Sequence, residues 1–101
     1  GALSGSGPAY LFYLAQYFQQ GAQDLGLDAE LCDQLVRATL RGSAELLARS
    51  ELAASDLRQQ VTSPGGTTQA AMEVLDVHNV GDVIAAAMAA GVERSIELGK
   101  S

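Results

Sequence analysis

The sequence predicts an all-α fold, a bundle of about five helices. Apolar residues recur at helical spacing along most of the chain. Glycine, proline and capping residues divide those stretches from one another. The composition, 48% hydrophobic with no Trp, takes much of its apolar content from alanine and leucine, which suit closely packed helices.

Gly5-Ser6-Gly7-Pro8 reads as an entry turn in which Ser6 or Gly7 caps and Pro8 occupies the first helical turn. Leu11, Leu14, Ala15, Phe18, Ala22 and Leu25 then follow one helical face, and Gly26 closes the helix. Tyr10, Tyr13 and Tyr17 form a second stripe on the same segment, which reads as core or interface. Asp28 caps a second helix running to about Arg49, with Leu31, Leu35, Ala38, Thr39, Gly42 and Leu46 along one face and Glu45 paired with Arg49 outside. Ser55 and Asp56 start a short helix through about Val61. Thr67 or Thr68 caps a fourth helix ending near Val77, and Asn79, with Asp82 three residues on, opens a fifth from Val80 to about Leu98.

That last helix, ~28 Å long at ~1.5 Å per residue, is apolar all round through Ala85-Ala86-Ala87-Met88-Ala89-Ala90-Gly91. Such a helix requires cover on every side. Four neighbours from one 101-residue chain do not supply it, so a second copy is expected to complete the burial in an intertwined or tightly packed homodimer or higher homo-oligomer. Residues 1–101 are expected to form one domain.

Several function classes are excluded at this stage. The net charge is −6, and the cationic side chains Arg37, Arg41, Arg49, Arg58, Arg94 and Lys100 are scattered, so no nucleic-acid partner is expected. The longest uncharged apolar run, Val83 to Val92, is about half of a membrane span. No secretory leader is expected at Gly1 to Gly7, which lacks a basic residue, and a single cysteine, Cys32, fits a reducing cytoplasmic setting. Cys32 reads as structural. His78, the lone histidine, has no second histidine or cysteine pair to build a zinc site, so no metal is expected. Gly5-Ser6-Gly7 has Tyr10 where a dinucleotide fingerprint needs its last glycine, and it reads as a tight helix entry, with Ser4 or Ser6 facing a cleft.

The segment with chemical content is Val61-Thr62-Ser63-Pro64-Gly65-Gly66-Thr67-Thr68. A Pro-initiated turn ending in two glycines runs into a helix start. N–H groups freed at Gly65 and Gly66, beside a threonine hydroxyl, can converge on an anion such as a small carboxylate. The other reading of the same residues is a turn and a cap, in which Thr→Ala costs about 1 kcal/mol of stability and nothing else. Most carboxylates fall on solvated faces. Glu51 stands apart because it follows the exit of a long helix, where the helix dipole does not favour an acid.

Three segments in order resemble the pyrroline-5-carboxylate reductase family. They are Leu3-Ser4-Gly5-Ser6-Gly7-Pro8-Ala9-Tyr10, the Val61 to Thr68 loop, and Arg94-Ser95-Ile96-Glu97-Leu98-Gly99. The resemblance implies reduction of L-1-pyrroline-5-carboxylate to L-proline, with a small-molecule substrate and NADPH or NADH as cofactor. It also implies that this chain is the C-terminal helical dimerisation and substrate-binding domain. An N-terminal Rossmann domain, absent from this chain, would bind most of the cofactor, and the fragment alone would be inactive. By the same resemblance Gly65, Gly66 and Thr67 offer N–H groups to the substrate carboxylate. Thr68 places its hydroxyl near the ring nitrogen as the catalytic residue, Ser63 lines the pocket, and Glu51 lies near it. Two alternatives stay open: a non-catalytic helical oligomerisation module, and a paralogous reductase acting on another cyclic imine.

Overall fold

The computed structural model describes residues 5–100. Leu3 and Ser4 of the opening motif, with Gly1, Ala2, Ser101 and the side chain of Lys100, lie outside the described residues. Among the described residues there are five helices and no strand: α1 (Gly7–Asp24), α2 (Ala29–Arg49), α3 (Ala54–Gln60), α4 (Thr67–Val77) and α5 (Val80–Lys100). They divide between two compact units, one ending at Leu52 and the other starting at Ala53.

The first unit is the α1–α2 hairpin. Pro8 sits in the first turn of α1, as expected, and Ser6 is the N-cap residue through its carbonyl, which accepts from the Ala9 N–H at 3.0 Å. Its side chain makes no cap bond. At the other end Gly26 adopts φ +98°. The Gly26 N–H reaches Gln23 O at 2.9 Å and the Leu27 N–H reaches Ala22 O at 3.3 Å. This is a Schellman closure, which needs a residue that tolerates the left-handed region at the glycine position. Asp28 then caps α2: its carboxylate accepts from the Glu30 N–H at 3.2 Å and the Leu31 N–H at 3.3 Å.

The buried stripe of α2 is not the leucine face that the sequence suggests. Cys32 and Val36 are the buried side chains among the described residues, with Leu40 half-buried one turn further on. Leu31, Leu35 and Leu46 remain 42%, 48% and 56% exposed. Packing inside a two-helix hairpin selects one narrow stripe, and α1 meets α2 on the Cys32 side. Gln19 Nε2 ties the helices across that seam by donating to Asp33 Oδ1 at 2.9 Å. Cys32 Sγ is fully covered and lies 3.7 Å from Leu27 O, which agrees with its structural reading. The expected Glu45–Arg49 pair forms at 2.9 Å on the outer face.

The second unit holds α3, the glycine loop, α4 and α5. Helix α3 starts at Ala54 with Ala53 as its cap, one residue before the expected Ser55 start. Ser50 Oγ accepts the Leu52 N–H at 3.0 Å in the preceding bend. Between α4 and α5 the chain turns at Asn79, which adopts φ 55° while its carbonyl accepts the Val83 N–H at 3.0 Å. Asparagine tolerates the left-handed region better than most residues, so the reversal sits there. Along α5, Val80 and Met88 are half-buried and the other described side chains are exposed.

Candidate functional site

The loop before α4 is built by a type II turn. Pro64 and Gly65 occupy its two central positions, Gly65 has φ +73°, and the Gly66 N–H closes the turn onto Ser63 O at 3.0 Å. Proline presets the first of those positions and glycine alone fits the second without strain. A Cβ placed on Gly65 would meet nothing within 4 Å, so glycine is required there by backbone angle and not by crowding. Gly66 is the opposite case: a Cβ there would lie 3.2 Å from Ser63 O.

Gly66 is extended (φ −88°, ψ −178°) and is the N-cap of α4. This corrects the expectation that Thr67 or Thr68 caps the helix. The turn ends at Gly66, helical angles begin at Thr67, and so the threonines occupy the first two helical positions. A glycine cap brings no side chain, and α4 has no side-chain cap bond. The first amides of a helix lack intrahelical acceptors. Here those are the N–H groups of Thr67, Thr68 and Gln69, whereas the next amide, Ala70, already reaches Gly66 O at 3.2 Å.

The expected set of open amides therefore changes. The Gly66 N–H is committed to the turn, and the Gly65 N–H donates to Gln69 Oε1. Of the expected backbone donors, the Thr67 N–H is the one left open in this loop. The N–H groups of Thr68 and Gln69 join it. Thr67 is exposed, as is Ser63, while Thr68 is half-buried. No acid in α4's first turn competes with an incoming anion. Partial positive charge at such a helix end contributes about 0.3–1 kcal/mol to a nearby anion.

A hollow of about 400 Å³ opens beside the loop, lined among others by Asp56, Arg58, Thr62, Pro64, Gln69 and Asp76. Neither Thr67 nor Thr68 lines it. Thr62, one of the lining residues, donates its hydroxyl to Arg58 O at 2.6 Å. Sequence reasoning singled out neither Gln69 nor Thr62. The signal for Gln69 was available: a glutamine three residues after a helix cap is the reaching-back half of a capping box.

Ser63, Gly65, Gly66, Thr67 and Thr68 are thus brought together by one turn. Glu51 is exposed, one residue past the C-cap Ser50 of α2, and belongs to the other unit. His78 forms the C-cap of α4, and no cluster of metal-ligating side chains occurs among the described residues. Nor is any helix of the described residues long and apolar enough to cross a membrane.

Comparison with known proteins gives a consistent result. The chain is 34% identical to a pyrroline-5-carboxylate reductase of Staphylococcus haemolyticus over 100 residues, which is 99% of this chain and 37% of the relative. It is 35% identical to that of Staphylococcus aureus over 97 residues, 96% of this chain and 36% of the relative. Among solved structures, a Coxiella burnetii pyrroline-5-carboxylate reductase superposes with a TM-score of 0.92 at 43% identity, covering 96% of this chain and 36% of that one. A Plasmodium falciparum pyrroline carboxylate reductase with NADP bound gives 0.89 at 31% identity, covering 93% and 36%. The chain thus spans just over a third of the length of these proteins. The family described as pyrroline-5-carboxylate reductase dimerisation matches residues 1–98, and the chain belongs to that family.

Proposed function

We propose that residues 1–101 act as the C-terminal dimerisation and substrate-binding domain of a reductase that converts L-1-pyrroline-5-carboxylate to L-proline with NADPH or NADH, the last step of proline biosynthesis. The observation that carries this reading is the family match over residues 1–98. The loop supports it independently, because it presents unpaired amides beside two threonine hydroxyls at a helix start.

In this reading the substrate carboxylate sits over the N–H groups of Thr67, Thr68 and Gln69. The Thr68 hydroxyl hydrogen-bonds the ring nitrogen and steadies it as the C=N bond is reduced, and Ser63 lines the same place. Gly65 and Gly66 serve through the shape of the turn more than through their own amides. Glu51 is assigned a place near the substrate on family grounds. Holding the imine in one orientation supplies much of the rate.

The described residues do not fit a dinucleotide: they include no strand, and Gly5-Ser6-Gly7 leads straight into Pro8 and α1. The cofactor is assigned mainly to an N-terminal domain outside this chain, and its nicotinamide type is in keeping with the Plasmodium falciparum relative described with NADP bound. Homodimerisation is supported by the family description and by the bare apolar length of α5. A cytoplasmic site of action is consistent with the free, buried Cys32.

The test uses the full-length protein. It should oxidise NADPH when given pyrroline-5-carboxylate, sediment as a dimer or larger, and lose on the order of 10²-fold in kcat/KM on Thr68→Ala, in line with removal of one positioned donor. Activity indifferent to Thr68 favours the non-catalytic oligomerisation module, and a better turnover of a different cyclic imine favours the paralogous reductase.

A further inference from the structure

We propose that Gln69 is a positioning residue for the carboxylate: its side chain withdraws the Gly65 N–H from the anion and holds the turn that presents the Thr67 and Thr68 amides. This rests on the functional reading above.

The geometry begins with the peptide between Pro64 and Gly65. Type I and type II turns over the same four residues differ by a flip of that central peptide. Gly65 at φ +73° marks the type II orientation, in which its N–H takes no part in the Gly66-to-Ser63 bond. Gly65 is exposed, so this leftover donor goes to water unless a nearby side chain takes it. Gln69 Oε1 supplies the acceptor from the third helical position, reaching back four residues. The Gly65 N–H is a donor, so the carboxamide must present its oxygen and not its nitrogen. In an ordinary capping box that side chain reaches the N-cap amide. Here the N-cap amide, Gly66, is occupied by the turn, and the reach moves back by one residue.

The consequence concerns binding. With Gln69 in place, the loop has one arrangement before substrate arrives. Without that oxygen the Gly65 N–H turns to water, and the Pro64–Gly65 peptide is free to take both orientations. Substrate then has to select one of them, which weakens binding without altering the reacting atoms. Loss of such a contact raises KM and leaves kcat near its original value.

In the full-length protein, Gln69→Met keeps the length of the side chain and removes the acceptor, while Gln69→Glu keeps an acceptor. For Gln69→Met the expected results are a KM for pyrroline-5-carboxylate raised about fivefold, a kcat within about twofold, and faster hydrogen exchange at the Gly65 amide. Gln69→Glu should retain slow exchange at Gly65. Unchanged Gly65 exchange in Gln69→Met, or a fall in kcat at constant KM, overturns the proposal. Thr68→Ala measured alongside separates the two ideas. If Thr68→Ala is impaired while Gln69→Met has an unchanged KM, Gln69 alone loses its role; if Thr68→Ala is fully active, the carboxylate pocket fails and this proposal with it.

Discussion

Two helix starts in this chain solve the same problem in opposite ways. At α2 the Asp28 carboxylate accepts from the Glu30 and Leu31 amides, so the helix satisfies two of its own leading donors. At α4 the cap is Gly66, which has no side chain, and the corresponding donors at Thr68 and Gln69 stay open beside that of Thr67. The first arrangement is a finished structural end. The second is an end that a ligand can finish. The difference comes from one residue type at the cap position, aspartate in one case and glycine in the other.

The most disruptive way to break this contrast is to make the α4 start resemble the α2 start. Gly66→Asp places a carboxylate where the substrate's own carboxylate is proposed to sit, and kcat/KM for pyrroline-5-carboxylate should fall at least about tenfold, roughly the 1.4 kcal/mol of a modest like-charge clash. Gly66→Ala is the control, since it adds the Cβ that would meet Ser63 O at 3.2 Å without adding charge. Equal kinetics for the Asp and Ala variants would mean that no anion binds there.

A smaller effect is expected from Gly65→Ala. At φ +73° an L-residue costs about 1–2 kcal/mol, so stability should fall by that amount and the melting temperature should drop. An unchanged melting temperature would show that the turn does not persist in solution.

The mildest case is Asp28→Ala, which removes the α2 cap and should cost about 1 kcal/mol of stability while leaving steady-state kinetics unaltered. A kinetic change there would show that α2's start is more than structural.

The two units differ in burial as well. The α1–α2 hairpin covers Cys32 and Val36 within itself, whereas no described residue from Ala53 onward is buried. Val77 is 75% exposed at the end of α4, and Val83, Ile84 and Ile96 stay open along α5. Apolar surface on that scale is not left in water by a stable protein, because each buried large side chain contributes about 1.5–3 kcal/mol. It fits a family described by its dimerisation. The exposed ion pairs, such as Arg94 with Glu97 at 3.0 Å, are worth far less.

Much of the fold was legible because its determinants are local. Apolar spacing and capping signals together placed the five helices of the described residues. Asp28, Gly26 and Pro8 act on groups within a few residues of themselves, through a cap, a left-handed closure and a preset φ, and each appears where its chemistry predicts. The glycine loop was legible as a turn for the same reason.

By itself, then, the sequence determined helix content, several of the helix ends and the presence of a glycine turn before α4. Tertiary structure alone decided which stripe of α2 is covered, because burial depends on the partner surface and α1 meets Cys32 and Val36 instead of the leucine face. It also decided which amides remain open. That choice depends on where the Gln69 side chain goes after the turn has formed, and spacing along the chain does not specify a side chain's reach in space.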